Sequence, residues 1–247
     1  MNNNFDNNKT KDSIIAWIRQ WFEENAKGQK AIIAVSGGRD SAIATALFVE
    51  ALGKDEVIAI ILPYDYSTSI DDTVTLLEYL DVEFHVLYIR HAYKELESEV
   101  FSEIGPLTKG AMANMQERIR IAALKGIAIN RNGISVNTSS YTDDWLGYYT
   151  KYGDISPFLN MTITEVKELG KALQLPSYYI EDLPSDGLFG FIDENEIGFS
   201  YEELDDYLRG VSEPSPEIKE RLDLQHNKTR LRREDVDVYK FTIEDKD

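Results

Sequence analysis

Residues 31–43 read Ala-Ile-Ile-Ala-Val-Ser-Gly-Gly-Arg-Asp-Ser-Ala-Ile, and they decide the fold. A short apolar run of β-branched residues ends in Ser36-Gly37-Gly38. Asp40-Ser41 and a helical pattern of Ala, Leu and Val follow as far as Leu52. Strand, glycine turn and helix start in that order build an anion site. Gly37 and Gly38 let backbone N–H groups approach a phosphate with no Cβ in the way. The helix N-terminus adds about half a positive charge. The hydroxyls of Ser36 and Ser41 can donate to phosphate oxygens. A plainer reading makes Asp40 an N-cap and nothing more.

The turn has no Lys of a Walker loop and lacks the spacing of the dinucleotide Gly-x-Gly-x-x-Gly turn. Ser-Gly-Gly-x-Asp-Ser instead resembles the pyrophosphate loop of ATP pyrophosphatases, which split ATP into AMP and pyrophosphate.

Working outward, Ile14, Ile15, Trp17, Ile18, Trp21 and Phe22 give a helix with one apolar face before the first strand. Val57–Leu62 and Phe84–Ile89 read as further strands and Gly133–Val136 as a fourth. Helices are expected near 71–80, 92–103 and 110–130. This alternation predicts an α/β, Rossmann-like doubly wound parallel sheet. Ligands sit beyond the C-terminal ends of such strands, where Ser36, Pro63 and Asn137 fall. After residue 138 the pattern loosens into a polar-aromatic loop to about 160. Helices at 162–173, 201–208 and 215–224 then form C-terminal elaborations. Residues 1–12, rich in Asn, read as a disordered tail without the apolar core of a signal peptide. Residues 13–247 read as a single domain.

The chain has 247 residues, with 26 basic and 44 acidic side chains and a formal charge of −18. Such a balance argues against a nucleic-acid groove, while a nucleotide pocket needs only a few local cations. There is no cysteine, which excludes disulfides, Cys-ligated zinc and a Cys nucleophile. No stretch is long and apolar enough to span a membrane. A cytoplasmic protein is expected.

Three later stretches carry chemistry. On the helix at 110–130, Asn114, Arg118 and nearly Arg120 share one side, either to contact a phosphate, ribose or partner subunit or simply to face solvent. The stretch from Asn137 to Asp154 is dense in polar and aromatic groups, and its carboxylates could bind Mg²⁺ together with phosphate oxygens. Leu183-Pro184-Ser185-Asp186-Gly187 is ordinary turn chemistry.

Taken in order, these pieces resemble the ammonia-dependent NAD synthetase family over residues 13–230. The resemblance rests on Ser36–Ser41, Asn114-x-x-x-Arg118-x-Arg120, Thr138, Gly147-Tyr-Tyr-Thr-Lys-Tyr-Gly-Asp154, Pro184-Ser185, Asp193-Glu194 and His226. It implies that Ser36, Gly37, Gly38, Asp40 and Ser41 hold the ATP phosphates, with Thr138 and Ser185 also on ATP. It implies that Arg118, Lys151, Asp154 and His226 contact nicotinic acid adenine dinucleotide (deamido-NAD). Mg²⁺ falls to Asp40 and Asp143, and the catalytic residues are Asp40 and Lys151. ATP and ammonia are the co-substrates, and a homodimer places the dinucleotide site at the interface. The sequence departs from the pattern at Asp143, where the family has Glu, at Arg39 in the variable loop position, and in a contracted stretch after Asp154. The family's His-Lys reads His226-Asn227-Lys228. The alternatives are another amidating ATP pyrophosphatase and a nucleotide-binding member without catalysis.

Overall fold

A computed structural model of the chain describes residues 6–147, 151–181 and 199–230. Four parallel strands form one sheet in the order β3-β2-β1-β4: β1 (Lys30–Ala34), β2 (Val57–Ile61), β3 (Glu83–Val86) and β4 (Gly133–Val136). Alternate residues serve opposite faces, as the pleat requires. Ala31, Ile33, Val57, Ala59 and Ile61 point into one core, and Ile32, Ile58 and Ile60 into the other. Burial on both faces explains why β2 is apolar throughout.

The first face carries α1 (Asn7–Asn25), α2 (Arg39–Leu52), α3 (Thr68–Tyr79), α7 (Ile163–Ala172) and the short α8 (Tyr178–Glu181). The second carries α5 (Lys109–Asn130), through Leu124 and Ala128, joined by Ile89 at the entry to α4 (Arg90–Glu103). A third cluster joins Leu146 of α6 (Tyr141–Leu146), Phe199, Leu204 of α9 (Tyr201–Leu208) and Leu222 of α10 (Pro216–Lys228). The doubly wound sheet with helical additions is therefore the one expected, with two differences.

The expected tail over residues 1–12 is helical from Asn7 onward, and residues 1–5 lie outside the described residues. Asp6 caps α1 by accepting from the Lys9 N–H, and Asn7 Nδ2 donates to Glu168 Oε2 of α7 at 2.9 Å. A capped end tied to a second helix keeps polar residues helical without an apolar face of their own. The loop expected to about 160 contains α6, whose capping box is formed by Ser140 and Asp143.

Chain order reverses between β1 and β4, so the crevice at the carboxyl ends of these two strands is the topological switch point. Residues 153–155 run along the free edge of β4. Asp154 N–H donates to Ser135 O at 2.8 Å and Asn137 N–H to Ile155 O at 2.9 Å. Gly153 has φ +83°, and a Cβ there would lie 2.7 Å from Asn137 Cβ. Only glycine fits so close an approach.

Candidate functional site

The β1–α2 turn forms as its sequence implies. Gly37 has φ +83°, and a Cβ there would meet Thr73 Oγ1 at 3.0 Å. Gly38 is the N-cap of α2 and provides no side-chain cap, so Asp40 is the second helical residue rather than the cap. The first-turn N–H groups of α2 thus lack side-chain capping at the mouth of the crevice, as an anion site requires.

The two serines brace this turn. Ser41 Oγ donates to Gly38 O at 2.8 Å and accepts from the Ser36 N–H at 3.2 Å. Ser36 Oγ accepts from the Gly38 N–H at 3.2 Å. Ser41 is buried, with its proton committed to the backbone, so it shapes the loop in this conformation. Ser36 remains half-buried at the mouth.

Asp143 of α6 lies near enough to Asp40 to feel its charge. Burial and then the Asp40 charge push the Asp143 carboxyl up to about 6, against hydrogen bonds from Ser140 and the Arg39 charge. Burial likewise raises Asp40, opposed by Arg39, whose Nε lies 3.3 Å from Asp40 Oδ1. Two partly buried carboxylates that repel one another form a hard-oxygen donor pair suited to a divalent cation. Among the described residues no cluster of three metal-ligating side chains occurs, so a cation here would complete its shell with ligand oxygens and water.

Asp143, at the position where the family pattern has Glu, is engaged in the capping box of α6. Asp143 Oδ2 accepts from Ser140 N–H at 3.0 Å and Ser140 Oγ at 2.8 Å. This back-bonding holds the short carboxylate against its own helix start through Oδ2.

α6 is itself clamped from behind. Asp205 of α9, 2 % exposed, accepts from Thr142 Oγ1 at 2.6 Å and from the Thr164 N–H of α7 at 2.8 Å. On the other side, His226 of α10 stacks on Trp145 with ring centroids 4.2 Å apart. Its Nδ1 pairs with Trp145 O at 2.9 Å.

Thr138, half-buried beyond β4, pairs with the Tyr152 hydroxyl at 3.3–3.4 Å through its N–H and Oγ1. It lies at the same end of the sheet as the glycine turn. The Asn114–Arg120 motif divides. Arg118 is exposed and its Nε donates to Asn114 Oδ1 at 2.9 Å. Arg120 turns inward, its Nε donating to Leu62 O at 2.8 Å, and burial pulls its guanidinium down to about 10. Arg120 therefore pins α5 to the end of β2 instead of sharing the Arg118 side.

Asp154 is committed to Ser135, through N–H at 3.0 Å and Oγ at 2.7 Å, and to Lys125 Nζ at 2.7 Å. Desolvation opposes its ionisation, but the bonds from Lys125 and Ser135 outweigh it and hold the carboxyl below its usual range. Lys151 is exposed, three residues before Asp154. Ser185 lies outside the described residues. Sequence reasoning missed Asp205, and it gave Thr142 and Trp145, inside the polar-aromatic stretch, no role of their own. For Asp143 a signal existed, since Ser140-x-x-Asp143 has the spacing of a capping box.

The NAD synthase family model matches residues 11–240. The chain belongs to this family. It is thereby an ATP-dependent ligase. Among curated relatives, the NH3-dependent NAD⁺ synthetase of Pyrococcus furiosus is 31 % identical over 202 residues, covering 80 % of this chain and 77 % of that protein. Among solved structures, NMN synthetase from Francisella tularensis superposes with a TM-score of 0.85 at 30 % identity, covering 96 % of this chain and all of the other. The NH3-dependent NAD synthetase of Campylobacter jejuni superposes at 0.76 with 22 % identity and 96 % of this chain covered, a likeness of fold. Among the described residues no helix of this NAD synthase family member is long and apolar enough to cross a membrane.

Proposed function

We propose that the protein activates the carboxylate of nicotinic acid adenine dinucleotide with ATP and amidates it with ammonia, giving NAD⁺, AMP and pyrophosphate. The observation that carries this reading is the glycine turn without a side-chain cap at the β1/β4 switch point, with Asp40 in the first turn of its helix and Asp143 near enough to be raised by the Asp40 charge. Family membership supports it.

The substrate carboxylate attacks the α-phosphorus of ATP, the bond to the β-phosphate breaks, and an acyl-adenylate forms. Ammonia then adds to the acyl carbon, one N–H proton passes to solvent, and the acyl C–O bond breaks with its electron pair going to AMP. Ammonia is already nucleophilic, so the chain's task is positioning and charge neutralisation. The turn amides and the α2 N-terminus hold the phosphates, Ser36 borders them, and Thr138 lines the nucleotide side. Asp40 and Asp143 fit Mg²⁺, which when bound would neutralise phosphate charge. Arg118, Lys151 and His226 are the side chains proposed for the dinucleotide, with Ser185 on ATP. The ties of Asp154 to Lys125 and Ser135 favour a supporting role in holding residues 151–155 beside β4.

A homodimer belongs to the same reading. Phe101 at 63 %, Ile104 at 84 % and Ile129 at 82 % exposure leave apolar surface at the ends of α4 and α5. Met112 and Met115 of α5 are half-buried in the single chain. A cytoplasmic location accords with the use of ATP and a free dinucleotide.

A second reading has its own support. The Francisella NMN synthetase is closer in both identity and superposition than the Campylobacter NAD synthetase. On that reading the acceptor is the corresponding mononucleotide. Purified protein given ATP, Mg²⁺ and ammonium with either acid separates the two. NAD⁺ with stoichiometric AMP is expected from the dinucleotide. Amide formed from the mononucleotide alone would move the assignment, and no AMP from either would refute both.

A further inference from the structure

We propose that Arg39 is a phosphate-binding residue of the ATP site: it neutralises Asp40 while the site is empty and transfers to the departing pyrophosphate during adenylation. The proposal rests on the ATP-dependent adenylation described above.

Arg39 is the only basic side chain in the strand–turn–helix segment 31–52. It is the first residue of α2, directly after Gly37-Gly38, so its side chain issues from the turn that would cradle the phosphates. Its one hydrogen bond among the described residues is from Nε to Asp40 Oδ1, at 3.3 Å. A committed charge-assisted pair is shorter, about 2.7–2.9 Å, and a guanidinium locked on a carboxylate usually binds through two nitrogens. Here the terminal Nη groups make no hydrogen bond to a described residue. The two side chains are 24 % and 18 % exposed, so water reaches the pair and separating it costs little.

Charge balance gives the residue its task. A triphosphate brings about four negative charges next to two carboxylates, while the helix N-terminus returns only about half a positive charge. Even a divalent cation leaves the assembly strongly negative. A guanidinium at the turn is the one further cation that this segment supplies, and its planar fork suits phosphate oxygens. The need is greatest as the bond from the α-phosphorus to the bridging oxygen breaks. The electron pair goes to pyrophosphate, the new bond runs from the substrate carboxylate to phosphorus, and no proton moves. Arg39 donates hydrogen bonds to that leaving group and keeps its own proton throughout.

The same geometry makes Arg39 an internal counter-ion of the empty site. Its charge lowers both carboxyls, opposing the burial that raises them. A metal ion arriving without nucleotide must displace it, whereas an ion arriving with ATP offers it phosphate oxygens in exchange. The arrangement favours the metal–nucleotide complex over the bare cation.

The test uses full-length protein and the variants Arg39→Gln and Arg39→Lys. Calorimetry with inorganic pyrophosphate and a chelator reads the anion contact, and electron paramagnetic resonance with Mn²⁺ and no nucleotide reads the counter-ion. Arg39→Gln should bind pyrophosphate about tenfold more weakly, as expected for one lost charge-assisted contact, and Mn²⁺ more tightly. Arg39→Lys should recover part of the pyrophosphate affinity. Unchanged pyrophosphate affinity in Arg39→Gln overturns the proposal while leaving adenylation intact if the parent binds pyrophosphate and ATP. A parent that binds neither overturns both.

Discussion

The Thr142 hydroxyl donates a 2.6 Å hydrogen bond to the buried carboxylate of Asp205, tying the helix that carries Asp143 to α9. The second Asp205 oxygen accepts from the N-terminal turn of α7, and Thr142 Oγ1 accepts from the Ile163 N–H at 3.1 Å. One carboxylate thus sets three helices relative to the crevice. Asp205→Asn retains one acceptor and turns an amide toward a former donor. It should cost about 1–3 kcal/mol in stability and raise the Mg²⁺ concentration needed for half-maximal activity.

The pH dependence of that loss has a definite sign. Burial raises the Asp205 carboxyl despite its hydrogen bonds, so the native state binds this proton more tightly than the unfolded chain does. The associated stability is present below the unfolded value, about 3.9, and is lost as pH rises through the higher folded value. The gap in melting temperature between parent and Asp205→Asn should therefore be widest in acid and narrow toward neutrality. A gap that widens with pH would contradict burial as the dominant influence.

Asp40→Asn should reduce ATP–pyrophosphate exchange by about a hundredfold or more. Because Gly38 caps α2, no capping interaction is lost. Removing one of two repelling carboxylates should hold the melting temperature level or raise it slightly. Near-parental exchange would remove Asp40 from the chemistry.

Asp143 has two separable tasks. Asp143→Ala removes the capping box, at a cost of about 1 kcal/mol, and also the carboxylate proposed for Mg²⁺. Asp143→Asn can still accept from Ser140, so it should keep most of the stability while sharing the raised Mg²⁺ requirement. An unchanged Mg²⁺ titration in both variants would leave Asp143 with the capping role alone.

Free ammonia should be the nitrogen donor for this chain. Glutamine hydrolysis commonly employs a nucleophile such as a Cys thiolate, and the chain has no cysteine. The rate at fixed total ammonium should rise with pH in proportion to neutral NH3. Comparable product from ammonia-free glutamine would refute this.

The sheet and its anion turn were legible because each rests on local pattern. β-branched runs mark the strands, and Ser36-Gly37-Gly38 marks a turn whose function depends on neighbours in sequence. α9 over 201–208 was legible for the same reason, with Leu204 and Leu208 one turn apart. Asp205 was not, since its partners Thr142 and Thr164 are 63 and 41 residues away and no periodicity marks a buried acid beside a buried Leu. The start of α1 was hidden because polar residues 7–12 are held by a cap and by Glu168 rather than by their own apolar stripe. The inward turn of Arg120 likewise depends on the Leu62 carbonyl, which helix spacing alone does not reveal.

The run of residues 153–155 along β4 has a consequence for how the protein behaves in a crowded solution. β4 ends the sheet, and an open sheet rim can recruit a strand from another molecule. Here Asp154 and Ile155 occupy that rim through Ser135 and Asn137, and the ionised Asp154 adds charge where a foreign strand would dock. Enlarging Gly153 would push this cover off Asn137. Aggregation and weakened hold on the neighbouring Lys151–Tyr152 pair would then arise together, so the solubility of a variant at this position would report on the integrity of the crevice at the end of β4.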